Sequence, residues 1–229
     1  MSALRLAIIF LVVAFVASPG RVVAGGQQAL SAVAQSDGMR VTDSAVVMYG
    51  YDSAMTLADA FRSTSDRAVG LLSSKGYRTT AINVDNTNEN EVYDKFTAAT
   101  FGSRTVVIYV MMHGYYDGLG VYGLCWRCAD GVAVTADVLL GYIKSAKRAG
   151  ASTVVLIADS CYSGALVSRL GHEAIVLAST QPDKQAWSSD GELVFSDAML
   201  DCMASASTGQ CLSAYRNYSF GVQTTLASW

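Results

Sequence analysis

The stretch VVLIADSCYSGAL, Val154 to Leu166, decides how the chain is read. From Val154 to Ala158 it is apolar and largely β-branched, and then it breaks into Asp159-Ser160-Cys161-Tyr162-Ser163-Gly164. A short, continuous apolar run bounded by turn residues is the pattern of a strand buried on both faces, as in parallel sheets covered by helices. Ligands of open α/β sheets bind at the carboxyl ends of such strands. A cysteine among small polar residues at that end is therefore placed for chemistry rather than for packing.

Four further runs of the same kind flank it: SAVVMYGY (Ser44 to Tyr51), RTTAINV (Arg78 to Val84), SRTVVIYVMMHG (Ser103 to Gly114) and HEAIVLAST (His172 to Thr180). Between them lie amphipathic patterns of helical period. Leu57 to Tyr77 is one, stopped at Gly76, and Asn88 to Thr100 is a second. Thr135 to Gly150 is a third, with Thr135 as N-cap and Gly150 as its stop, and Glu192 to Ala204 is the last. The segment Tyr116 to Val134, YDGLGVYGLCWRCADGVAV, carries the Gly and Asp punctuation of a β-hairpin outside the main sheet. Strands alternating with helices predict a three-layer α/β sandwich around a mostly parallel central sheet, with right-handed crossovers and a small hairpin after the third strand.

The first residues read as an address. Arg5 supplies a positive start, Leu6 to Ala17 an apolar stretch, and Val22-Val23-Ala24 small residues before a cut, so residues 1–24 are expected to be a cleaved signal peptide. The apolar run is about a dozen residues, short of the roughly 20 that span a bilayer, so no stable membrane anchor is expected after cleavage. The expected destination is secreted or periplasmic. Residues 25–42 are small and polar with weak periodicity, a linker or short pro-segment, and residues 43–229 form one domain. The formal net charge of −3, with no dense run of Lys and Arg, argues against nucleic acid as a partner.

Five cysteines in an exported chain suggest pairs and one leftover thiol. Cys125 and Cys128 form C-W-R-C, spaced for a local bridge, and Cys202 and Cys211 flank a small-residue loop spaced for another. Cys161 is the remainder. A C-W-R-C redox pair is the rival reading, but redox motifs of that form sit between a strand and a helix, and this one lies in a hairpin.

The third strand ends in Met112-His113-Gly114 and the fourth in Asp159-Ser160-Cys161, and the chain holds only two histidines. A thiol next to an imidazole is the pairing that nucleophilic acyl transfer needs: the imidazole takes the thiol proton and returns it to the leaving amine. The backbone N–H groups of Gly114 and Cys161 are candidate donors to an oxyanion. His172 falls outside any motif and is expected at the surface or in packing. The interval from His113 to Cys161 is close to the roughly 50 residues that separate histidine from cysteine in caspases.

On these residues the chain, from Ala45 to Met203, resembles the caspase-like cysteine peptidases, the clan of caspases, metacaspases and legumains. The Asp-Ser-Cys-Tyr-Ser-Gly form is most similar to metacaspases. Ala178-Ser179-Thr180 with Asp183-Lys184-Gln185-Ala186 resembles the loop after the clan's fifth strand, and Phe195-Ser196-Asp197-Ala198-Met199-Leu200 resembles its F-T-x-A-L-L helix. The resemblance implies the caspase-haemoglobinase fold and an endopeptidase acting on peptide or protein substrates through Cys161 and His113.

It also implies that Asp159, two positions before the cysteine, lines the pocket for the residue preceding the scissile bond, P1. Glu192 falls near another acidic pocket position of legumains. Met55 stands where legumains carry an Arg, so the pocket is acidic without its cationic half and favours Arg or Lys at P1. Asn specificity or transpeptidation, as in legumain relatives, is the alternative, and a catalytically silent binding protein a third reading. No cofactor is expected. Many metacaspases need calcium, but the acidic stretch Asp85 to Glu91 reads as a solvated loop rather than a metal site. Asn217-Tyr218-Ser219 is a sequon that matters only in a eukaryotic host.

Overall fold

A computed structural model describes residues 43–50, 58–85, 87–116, 122–127, 132–186, 188–189, 192–207 and 210–211. Five parallel strands make the central sheet: β1 (Ser44–Tyr49), β2 (Arg78–Asn83), β3 (Thr105–Met111), β7 (Thr153–Asp159) and β8 (Ile175–Ala178), in the order β2-β1-β3-β7-β8. Every residue of β3, β7 and β8 is buried, as their unbroken apolar runs require.

Alternate side chains divide the core in two. Val46, Met48, Ile108, Leu156 and Val176 face the helices α2 (Glu89–Thr100), α3 (Ala136–Arg148) and α4 (Ala165–Leu170), against Phe96, Leu139, Ile143 and Leu166. Val47, Val107, Tyr109, Ile157 and Leu177 face α1 (Ala58–Ser74) and α5 (Val194–Ser205), against Phe61, Leu72, Leu200 and Met203. The result is a three-layer α/β sandwich. Local chemistry sets the helix ends. Asn88 and Thr135 cap α2 and α3 by accepting from the N–H groups of Glu91 and Val138, and Gly76 and Gly150 take positive φ values of 88° and 113° just past α1 and α3.

Three departures from the sequence reading have physical causes. The expected hairpin is a three-stranded antiparallel sheet, β4 (His113–Tyr116), β5 (Tyr122–Arg127) and β6 (Val132–Thr135), because the third strand, expected to run to Gly114, stops at Met111 and the chain from His113 pairs with β5 instead. Glu192 and Leu193 do not begin the last helix. They form β10, paired with β9 (Ser188–Ser189), and α5 starts at Val194. The six-residue α4 is too short to show a helical period, and the strand expected from His172 starts at Ile175.

The chain is closed near its described end by the disulfide Cys202–Cys211, with Cys211 buried in the α1/α5 core. The Cys125–Cys128 pairing, Met55, the sequon and residues 1–42 lie outside the described residues. Among the described residues no helix is long and apolar enough to cross a membrane, and no three His, Cys, Asp or Glu side chains group as metal ligands would.

Candidate active site

The register of β3 against β7 aligns the two expected functional ends. Met111 pairs with Asp159, and the Met112 N–H continues the ladder by donating to the Asp159 carbonyl at 3.4 Å. Two residues past this last pair come His113, which opens β4, and Cys161, in the turn after β7. Gly114, just beyond His113, lies so close to Cys161 that a β-carbon there would overlap the Cys161 carbonyl oxygen and crowd its N, at 3.3 Å. Only a glycine permits this approach.

His113 is half-buried, and its ring meets that of Phe61 from α1 edge-on, with centroids 5.3 Å apart and planes at 63°. Its buried Nε2 has no hydrogen-bond partner among the described residues. Burial holds the imidazole below its ordinary value, so the neutral form dominates. Cys161 is the free thiol among the described cysteines. Burial pushes its pKa up, and the N–H groups of Ala186 and Gly114 pull the other way by favouring the thiolate. The Ala186 N–H donates to Sγ at 3.3 Å. Both shifts favour the uncharged form of each group.

The small polar residues of the opening stretch hold this turn in place. Tyr162 sits at φ 61°, a left-handed conformation that bulky residues rarely adopt, and its N–H donates to the Lys184 carbonyl at 2.6 Å. The Ser163 N–H donates to Thr180 Oγ1 at 3.0 Å, the Thr180 N–H returns a bond to Ser163 Oγ at 3.3 Å, and the Ser160 N–H donates to Ser179 Oγ at 3.2 Å. A β-carbon on Gly164 would meet the Pro182 nitrogen at 2.7 Å. The loop after β8 therefore passes directly over the turn that carries Cys161.

Asp159 ends β7 on the α1/α5 side and is buried, with 3% exposure. The N-cap residue of α5, Leu193, offers no side-chain cap, and Asp159 takes that role from a distance: its Oδ2 accepts the Ser196 N–H at 3.1 Å and the Ser196 hydroxyl at 2.6 Å. Burial raises the Asp159 pKa, while the hydrogen bonds of Ser196 and Ser179 and the helix terminus favour the carboxylate. Glu192 has its backbone in β10, and its side chain lies outside the described residues. His172 is exposed in the turn before β8, away from the pair. Sequence reasoning named Ala186 only as part of a loop and missed its contact with Cys161, because that contact is a main-chain N–H that no residue type signals. It also missed the Ser196 contact, which joins positions far apart in the chain.

A five-stranded parallel sheet in this order, with helices on both faces and an antiparallel sheet after the third strand, defines the class as caspase-like in fold. Caspase-1 from Spodoptera frugiperda superposes with a TM-score of 0.55 at 16% identity, over 75% of this chain and 74% of that one. A protein from Geobacter sulfurreducens superposes with a TM-score of 0.50 at 11% identity, over 70% of this chain and 82% of that one. At such identities the likeness is one of fold. No family model and no curated protein matches the sequence.

Proposed function

We propose that the chain is an exported cysteine endopeptidase that cleaves after Arg or Lys. The observation that carries this reading is the contact of Gly114, the residue after His113, with the backbone of Cys161. On attack, the Cys161 proton passes to the His113 imidazole as sulfur bonds to the peptide carbonyl carbon. The resulting oxyanion takes hydrogen bonds from the Gly114 and Cys161 N–H groups. The C–N bond then breaks, the amine leaves with the proton held by His113, and water, deprotonated by the same imidazole, releases the acyl group. Asp159 supplies the negative charge that selects a cationic P1 side chain, with Glu192 as a second acidic contributor.

The test is to incubate residues 25–229 with an Arg-acyloxymethyl ketone and map the labelled peptide by mass spectrometry, beside a His113→Ala control. Adduct on Cys161 that is lost in the control supports the dyad. An unmodified Cys161 with Arg, Asn and Asp warheads alike removes the catalytic reading in favour of a silent binding protein. Labelling by the Asn warhead alone replaces basic with Asn specificity.

A further inference from the structure

Behind Asp159 runs a chain of hydroxyl groups that the reaction itself does not use. Tyr109, in the middle of β3 and fully buried, donates its phenolic O–H to Ser196 Oγ at 2.8 Å, and the Ser196 hydroxyl passes its own proton toward Asp159 Oδ2 at 2.6 Å. The Ser196 N–H, from the first turn of α5, donates to the same oxygen. Ser196 is also fully buried, so the three groups link β3, α5 and β7 inside the apolar layer between sheet and helices.

Two features make this more than a satisfied core. Each hydroxyl has a single proton, and both point along the chain toward the carboxylate, an arrangement suited to an ionised group that only accepts. A buried polar chain is costly unless every member is paired, and an apolar trio at these positions would pack without it. The remaining polar neighbour of the carboxylate is the Ser179 hydroxyl at the end of β8. Ser196 thus fixes one oxygen of Asp159 from two directions, while Tyr109 fixes the rotamer of Ser196.

We propose that Ser196, backed by Tyr109, is the positioning residue that holds the Asp159 carboxylate in the orientation that recognises a basic P1 side chain. This rests on the proposed endopeptidase activity and deepens it: selectivity for a cation depends on a carboxylate whose orientation is set from within the α1/α5 layer by two hydroxyl groups.

The experiment measures kcat and KM for a pair of peptide amides that differ only in P1, Arg against its neutral isostere citrulline. Wild type, Ser196→Ala, Ser196→Thr and Tyr109→Phe are compared. Loss of charge-assisted hydrogen bonds to a buried carboxylate predicts that Ser196→Ala lowers the Arg-to-citrulline ratio of kcat/KM by about tenfold or more, chiefly through KM for Arg. Ser196→Thr restores it to within about threefold, and Tyr109→Phe, which removes one oxygen and little volume, gives a smaller drop in the same direction. A merely structural role would lower both substrates together and leave the ratio unchanged. Unchanged ratios in Ser196→Ala and Tyr109→Phe overturn the inference, and Tyr109→Phe alone decides it if Ser196→Ala does not fold. If wild type cleaves neither peptide, the endopeptidase reading has failed, and the inference fails with it. If wild type cleaves both equally, the activity stands and the inference falls.

Discussion

Gly114 and Cys161 touch through their backbones: the space a side chain would fill at Gly114 is taken by the carbonyl oxygen of Cys161. Because the obstacle is main chain at the end of a buried strand, it cannot swing aside. Gly114→Ala is expected to cost about 1–3 kcal/mol of stability through overpacking. It should also depress Cys161 labelling by about a hundredfold by pushing two oxyanion donors apart. Thermal unfolding and the rate of warhead addition measure the two effects. A variant that labels at the wild-type rate would show that the contact is incidental.

The proposed pair of Cys161 and His113 should titrate broadly. Burial lowers His113 and raises Cys161, so the neutral pair spans a wider range than the free side chains would. On the proposed reading, kcat/KM falls on the acid side below the ordinary imidazole value of about 6.5 and on the alkaline side above the ordinary thiol value of about 8.5. The apparent values belong to the pair. A profile narrower than those two limits would contradict the burial argument.

Asp159 has a pH signature of its own in stability. Its folded pKa is raised, so the stability it contributes is present below its unfolded value of about 3.9 and is lost as pH rises through the raised native value. Wild type should therefore gain on Asp159→Asn as the medium is acidified and lose that advantage toward neutral pH. Urea unfolding of both proteins across that window reads the difference, and a wild-type advantage that grew with pH would reverse the sign.

The bridge Cys202–Cys211 closes a short loop, a sequence separation of 9, at the end of α5. Reduction, or Cys202→Ala with Cys211→Ala, is expected to cost about 2–4 kcal/mol. By contrast, Arg67, which pairs with Asp197 and Asp201 across α1 and α5, is partly exposed and screened, so Arg67→Ala should cost about 1 kcal/mol or less. Denaturant titrations of the two variants, with and without reductant for the first, order the two costs.

The strands were legible because each is a continuous apolar run, although the third run, read on to Gly114, ends as a strand at Met111 and gives His113 to β4. What escaped reading depends on pairing between distant segments. His113–Tyr116 leaves the run of the third strand because β5 is there to pair with it, and Glu192–Leu193 leaves a helical pattern to pair with Ser188–Ser189. Within the site, Ser163 and Gly164 look like generic turn residues until the loop at Thr180 to Pro182 is laid across them. Asp159 looks like a pocket residue alone, and its cap on α5 emerges only in three dimensions.

The alignment of Met111 with Asp159 has a consequence for the whole core. Side chains alternate between faces along a strand, so sliding β3 past β7 by a single residue would turn its side chains to the wrong apolar layers and carry the backbone that leads to Gly114 about 3.3 Å out of step with Cys161. The odd-even order of Val106 to Met111 and Val154 to Ala158 therefore works as a ruler for the rim: packing deep in the sheet sets how Gly114 meets Cys161. Core substitutions that blur that order are expected to disturb the dyad before they unfold the chain.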